Sequence, residues 1–368
     1  MKAMKWLNPD VASLTPYEPG RPIEDVAREF GLDPAQISKL ASNENPLGVS
    51  PKAKRAMRQA LSGSYLYPDG GAFYLREKLA QRFAVKREQI VVGQGSNEII
   101  ELIAHAFMGP GKSIVASAHA FIVYKLIAKT FSTRLIEVPA KGLGHDLTAM
   151  RRAIDKDTSV VFVCNPNNPT GTMVRQRQVS QFMAAIPDDV LVVFDEAYAE
   201  IALGRMPDTL PYVHEGRNVI LLRTFSKAYG LAGLRIGYGI GPQPIMEALQ
   251  KPRQPFNVSR IAQEAALAAL DDDAFVQRSR RLFRKAKRYL ENVCKEMGLE
   301  YEPTFANFIL IKVGKGKGAA VTQALMKRGV IVRPVAGYGL PDHIRVSFGT
   351  MPENERFVQA FKEVLPTA

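Results

Sequence analysis

The chain has 368 residues, 46% hydrophobic and 23% charged, and carries a formal charge of +13 from 49 basic and 36 acidic residues. Such a composition excludes a disordered or low-complexity protein, and the length suits two domains or a large domain with a smaller one. Two cysteines, Cys164 and Cys294, exclude a disulfide framework or a zinc spacing; with no signal-like apolar core and no apolar run of roughly 18–20 residues, a cytoplasmic protein without membrane contact is expected.

From residue 89 onward, short β-rich runs alternate with helical segments. Strands are predicted over 89–93, 113–117, 134–139, 159–166, 190–198, 218–226 and 235–241. Their apolar runs are nearly continuous, as expected for strands covered on both faces. A helix is predicted over 97–108, with Ile99, Ile100, Ile103 and Phe107 on one side. This alternation argues for an α/β fold with a mainly parallel, doubly wound sheet. The character changes near "QKPRQPFNVS", around 255–260. One or two long helices follow, then strands over 308–313, 330–335 and 343–349, and a last helix from Pro352. The expected division is a large domain over 44–256 and a smaller α+β domain formed by 1–43 and 257–368, the first residues being an N-terminal arm. The basic run "RSRRLFRKAKR" (278–288) is interrupted by Leu282 and Phe283, and Ala286, Tyr289 and Leu290 continue an apolar face. It therefore reads as the solvated face of an amphipathic helix and not as a nucleic-acid site.

In open α/β sheets, ligands sit beyond the carboxyl ends of the strands, and four motifs lie there. In "VVGQGSNEII", Gly93 and Gly95 follow a strand and Ser96 and Asn97 open a helix, whose free N–H groups suit phosphate. The dinucleotide fingerprint is absent, because Glu98 occupies the third glycine position. "NPNNPTG" (165–171) fixes a loop with two prolines and a glycine, and presents the amides of Asn167 and Asn168. "VFDEAYAE" ends an apolar strand on Asp195, a carboxylate that needs a partner or serves as a helix cap. Tyr198 lies three residues on. In "LLRTFSKAYGLAGLRIGYG" (221–239), Lys227 follows Thr224 and Ser226 and precedes Arg235. A neighbouring cation would lower the pKa of this lysine and make it a usable nucleophile. Together the motifs describe a phosphate site, a carboxylate for a ring cation, hydrogen bonders for a phenolate oxygen and a lysine for an aldehyde, the four groups of pyridoxal phosphate.

"NPNNPTG", "FDEAY" and "TFSKAYGLAGLRIGY" resemble the signatures of the fold-type-I pyridoxal-phosphate-dependent aminotransferases. "LTPYEPGRPIEDVAREFG", "KLASNENPLG", "YPDGGAFYLREKLA" and "VIVRPVAGYGLPDHIRVSFGT" extend the likeness over nearly the whole chain, and narrow it to the histidinol-phosphate branch. The resemblance implies pyridoxal 5'-phosphate as cofactor. Lys227 would bond its aldehyde and later move the α-proton, and Asp195 would pair with its ring nitrogen. Asn168 and Tyr198 would contact the ring O3′. Ser96, Asn97, Thr224, Ser226 and Arg235 would surround its phosphate. Tyr67 matches a tyrosine that reaches the phosphate from a neighbouring subunit, which implies a homodimer. Phe121 stands where the family stacks an aromatic on the ring, although "AHAFIVY" departs from the usual "PTYSMY".

For the substrate, Arg345 matches the arginine that binds the carboxylate of glutamate, and Arg345 with Arg333 would hold a substrate phosphate. Asn43 and Tyr17 would lie over the substrate. The implied reaction moves the amino group of L-histidinol phosphate to 2-oxoglutarate, giving imidazole acetol phosphate and glutamate. An aromatic-amino-acid aminotransferase would share every cofactor residue, and a threonine-phosphate decarboxylase is a second rival of the same fold. A nucleic-acid-binding protein would account for the charge but leave four strand-end motifs unexplained, and a nicotinamide dehydrogenase lacks its fingerprint glycine.

Overall fold

Successive residues of the central strands belong to two different cores, and this period of two builds the fold. The computed structural model describes residues 6–16 and 20–365. Its strands are β1 (Ser38–Lys39), β2 (Ile90–Gly93), β3 (Ser113–Ser117), β4 (Arg134–Val138), β5 (Thr158–Cys164), β6 (Leu191–Asp195), β7 (Val219–Thr224) and β8 (Gly237–Ile240), followed by β9 to β13 below. In β5, Val160, Phe162 and Cys164 join one core while Val161 and Val163 join the other. In β6, Leu191 and Val193 join the first and Val192 and Phe194 the second. Side chains alternate across a pleated strand, so apolar residues at every position mean a sheet covered on both faces. Fully burying each such side chain contributes about 1.5–3 kcal/mol.

The seven strands of this sheet run in the order β2-β8-β7-β6-β5-β3-β4. Every neighbour pair is parallel except those made by β8, which runs antiparallel to β2 and β7. Each of the seven runs read as strands between 89 and 241 forms one of these strands. One expectation is corrected. β4 was expected to be covered on both faces, but it is the sheet's edge, with Arg134 and Glu137 exposed. Polar residues facing water suit an edge strand.

The later part adds a second sheet, from β9 (Tyr301–Glu302), β10 (Phe308–Lys312), β12 (Arg333–Pro334) and β13 (His343–Ser347), antiparallel in the order β12-β13-β10-β9. The run 330–335 is not the single strand expected. β11 (Val330–Ile331) pairs in parallel with β1, then the chain passes Val332 and β12 pairs with β13. Segment 259–298 forms two helices, Arg260–Ala269 and Asp273–Glu296. The buried Asp272 separates them and accepts from Phe275 N and from Ser50 Oγ at 2.7 Å. In the second helix Phe283, Ala286 and Leu290 are buried while Arg281, Arg284 and Arg288 are exposed, so the basic run is a solvated face. Among the described residues no helix is long and apolar enough to cross a membrane.

Candidate active site

A cavity of about 380 Å3 opens at the carboxyl edge of the seven-stranded sheet, bounded on the other side by β12 and β13. Strand direction decides what reaches it. β2, β3, β5, β6 and β7 run the same way, so the segments that follow them deliver Ser96 and Asn97, Phe121, Asn168, Asp195 with Tyr198, and Lys227. β8 is reversed, so its amino end lies at the same edge, and that is where Arg235 stands.

One end of the cavity is built for an anion. Ser96 and Asn97 occupy the first turn of helix Gly95–Phe107, whose leading N–H groups have no intrahelical acceptor. Gly95 has φ +75°, and a Cβ there would stand 2.7 Å from Arg235 Nη2. Gly237 is equally constrained, since a Cβ would meet Ser96 N at 2.7 Å. Two glycines thus allow a guanidinium and a strand to press against the helix start. Arg235 itself adopts φ +52° and donates from Nη1 to Ala232 O at 3.0 Å. Beside it, Thr224 and Ser226 are buried and share a 3.0 Å hydrogen bond.

Asp195 and Glu196 are adjacent, both almost wholly buried, and face opposite sides of the sheet. Glu196 lies on an ion pair with Arg223 at 2.6 Å and accepts from Thr209 Oγ1. Asp195 instead faces the cavity and accepts from Tyr124 Oη at 2.7 Å and from Ala197 N at 3.3 Å. Burial pushes its carboxyl up to about 6, against the opposing pull of the Tyr124 hydrogen bond. Lys227 lies half-buried in the wall, with Nζ 3.3 Å from Ser42 O. Desolvation, then the positive charge of Arg345, lowers its ammonium to about 8, with Glu44 opposing. Asn45 clamps this loop by donating to the carbonyl oxygens of Lys227 and Ala228.

Hydrogen bonds from the smaller sheet set the polarity of two groups in the cavity. Arg345 Nη1 donates to Asn168 Oδ1 at 2.5 Å, which turns the Asn168 amide nitrogen toward other acceptors. Ser347 Oγ donates to Asn43 Oδ1 at 2.7 Å, and Asn43 Nδ2 donates to Tyr198 Oη at 3.0 Å. The Tyr198 oxygen being already an acceptor, its proton is available to a further acceptor. Burial pushes this phenol well above its ordinary pKa, so it keeps that proton.

Arg333 and Arg345 are direct cross-strand partners on β12 and β13, and both line the cavity. Two like charges placed opposite one another are destabilising, so this pair suits a bound anion. Phe121 forms another wall, its ring 5.8 Å from Tyr124 and edge-on to it. Of the residues singled out in the sequence, Asn43, Ser96, Asn97, Phe121, Asn168, Asp195, Tyr198, Thr224, Ser226, Lys227, Arg235, Arg333 and Arg345 all line this one cavity. Tyr67 does not; it is 79% exposed and stacks on Phe256 at 4.7 Å. Tyr17 lies outside the described residues. The sequence reading missed Tyr124, Asn45 and Glu44. Asn45 and Glu44 sit in the quoted "NENPLG" run, and Tyr124 closes the quoted "AHAFIVY" run, where it was given no role.

A family model described as "Aminotransferase class I and II" matches residues 35–361. A protein of Akkermansia muciniphila named histidinol-phosphate aminotransferase is 52% identical over 99% of this chain and 100% of its own length. One of Pseudomonas aeruginosa, named histidinol-phosphate aminotransferase 2, is 49% identical over 97% of each chain. Among solved structures, the histidinol-phosphate aminotransferase of Sinorhizobium meliloti in complex with pyridoxal-5'-phosphate superposes with a TM-score of 0.89, at 28% identity over 99% of this chain and 98% of that one. Relatives of matching length and the family model thus agree across nearly the whole molecule: the chain belongs to the aminotransferase class I and II family.

Proposed function

We propose that this chain is a pyridoxal-phosphate-dependent aminotransferase that converts L-histidinol phosphate and 2-oxoglutarate to imidazole acetol phosphate and L-glutamate. The cross-strand pair Arg333 and Arg345 carries the substrate reading, since two guanidinium forks on one wall fit a phosphate or a carboxylate. The names of the relatives support the same substrate. The donor set supports the cofactor: an anion site at a helix start, a buried carboxylate aimed into the cavity, an amine of lowered pKa and two oriented donors.

In this reading Ser96, Asn97, Thr224, Ser226 and Arg235 would hold the cofactor phosphate, Asp195 would face its ring nitrogen, Asn168 and Tyr198 would donate to its O3′, and Phe121 would cover the ring. When bound, pyridoxal phosphate supplies an aldehyde that takes the amino group and an electron-withdrawing ring that acidifies the substrate's α C–H. Lys227 would hold the aldehyde, and its amine, its ammonium held low by burial and by Arg345, would move the α-proton. Arg345 and Arg333 would hold the acidic group of either substrate, and Asn43 would lie over it. We take 44–256 as the large, cofactor-binding domain, with 1–43 and 257–368 as the small domain with its N-terminal arm.

The proposed assembly is a homodimer in which Tyr67 reaches the cofactor phosphate of a second copy. Tyr65, Leu66, Tyr67, Tyr74 and Phe256 are exposed in one chain, and clustered apolar surface of this kind suits an interface. The deciding experiment follows the visible absorbance of the cofactor-loaded protein on adding an amino donor without any oxo acid. Bleaching by L-histidinol phosphate at low concentration, and not by phenylalanine, is the expected outcome. Equal bleaching by phenylalanine moves the substrate to the aromatic amino acids, and a protein that never takes up pyridoxal phosphate removes the enzyme reading.

A further inference from the structure

Asp195 lacks the partner that a buried carboxylate ordinarily has. Among the described residues its carboxylate receives Tyr124 Oη and Ala197 N, and no ion pair. Its neighbour Glu196 has Arg223. Tyr124 is itself 1% exposed and lies in helix Val123–Thr130, which follows β3. Its ring stacks on Phe162 of β5 at 4.4 Å with 12° between the planes, and Phe121 packs against it edge-on. A ring fixed on two sides, with its hydroxyl 2.7 Å from Asp195 Oδ2, holds that carboxylate in one orientation.

We propose that Tyr124 is a positioning residue, which orients the Asp195 carboxylate toward the cofactor's ring nitrogen and stabilises its negative charge. This rests on the cofactor reading given above. The phenol donates to one oxygen of Asp195 and leaves the remaining lone pairs for the ring N–H. Burial drives the Tyr124 phenol well above its ordinary pKa, so it stays a donor at every working pH. The other groups facing Asp195 are Cys164 from β5, whose thiol burial keeps neutral, Glu196 next in the chain, and Lys227 from the loop after β7. Of these only Lys227 favours the carboxylate electrostatically, and in the proposed mechanism its charge changes. Tyr124 is the neutral side chain that supports Asp195 throughout, beside the longer Ala197 N–H contact.

The test is Tyr124→Phe, which keeps the ring on Phe162 and removes the hydroxyl. Three readouts are expected to move. The dissociation constant for pyridoxal phosphate, from equilibrium dialysis of the apo-protein, rises about tenfold, as for one lost hydrogen bond to a charged group. The infrared carboxyl signal of Asp195 in the apo-protein, identified by its loss in Asp195→Asn, titrates at a higher pH than in the native apo-protein. kcat falls about tenfold with KM unchanged, as for an interaction acting on the reaction step. If the dissociation constant and the Asp195 titration stay at native values, even with a lowered melting temperature, Tyr124 only packs and the proposal is overturned. Should Tyr124→Phe fail to fold, 3-fluorotyrosine at this position keeps the shape and strengthens the donor. A lowered Asp195 titration point and tighter cofactor binding then support the proposal, and unchanged values overturn it. Native protein that takes up no pyridoxal phosphate overturns the cofactor reading and this one together, whereas native uptake with an unchanged variant overturns this one alone.

Discussion

The two sheets reach the cavity by different routes. The seven-stranded sheet contributes at its strand ends: Ser96, Asp195 and Lys227 lie where a chain leaves or continues a strand, and their neighbours hold them in place. The four-stranded sheet contributes from within its strands. Arg345 and Ser347 project from one face of β13, and their hydrogen bonds run across to Asn168 and, through Asn43, to Tyr198. One sheet supplies a fixed set of reactive groups, and the other supplies a face of cations that also sets how two of those groups point. If that division holds, damage to the first should abolish chemistry or cofactor retention, and damage to the second should fall on substrate binding.

The largest effect is expected from Lys227→Ala, with turnover lower by about 10^3-fold through loss of the positioned base. A single-turnover assay on the cofactor-soaked variant measures it, and near-native turnover would remove Lys227 from the mechanism. Next, Asp195→Asn should weaken cofactor binding about a hundredfold, since it replaces a charge-assisted hydrogen bond with a neutral one; dialysis against pyridoxal phosphate reads this. Arg345→Lys then tests whether the sheets are independent. The lysine cannot present a bidentate fork, so KM should rise about thirtyfold for both substrates. If kcat falls as well, the Asn168 orientation set by Arg345 contributes to chemistry, and the division between the sheets is incomplete.

A pH dependence probes Lys227, whose ammonium is lowered by burial and by Arg345 of the other sheet. With its pKa lowered to about 8, Lys227 is mostly an ammonium at pH 7 and mostly an amine at pH 9. Capture of pyridoxal phosphate by the apo-protein, followed by stopped-flow absorbance, should therefore speed up with rising pH by about tenfold over that range and level off above it. A rate that keeps climbing about tenfold per pH unit beyond pH 9 would mean that the lysine is not desolvated. Smallest is Arg333→Ala, expected to raise KM a few-fold for phosphate-bearing substrates and to leave phosphate-free aromatic donors unaffected. Equal effects on both would turn Arg333 into a general electrostatic contributor.

The residues that meet in the cavity were legible because an apolar run has an end, and chemistry-bearing side chains stand at those ends. Asp195 after "VVF" and Lys227 after "LLRTFS" need only the direction of a strand to be brought together. What depends on pairing across the chain was not legible. β1 and β11 are two residues each and carry no periodicity, and the change of partner at Val332 leaves no trace in "VIVRPV". β4 carries Arg134 and Glu137 among its apolar residues, and these charges are what its place at the edge exposes. Tyr124 closes "AHAFIVY", and nothing in that run ties it to Asp195. Only the alternation that puts Asp195 on the same face as Phe162 brings that hydroxyl to the carboxylate.

The reversed strand β8 has a consequence for chain entropy. Thr224 and Gly237 are paired, so residues 225–236 form one closed hairpin loop that holds both Lys227 and Arg235. A parallel successor to β7 would have needed a crossover helix between them, as between β6 and β7, where the chain runs from Asp195 to Val219. Each doubling of a loop adds about 0.6 kcal/mol to the cost of closing it. The two cations thus share a short tether, closed by the ladder hydrogen bonds of its own flanking strands, and the order of that corner is set by the backbone before any ligand arrives.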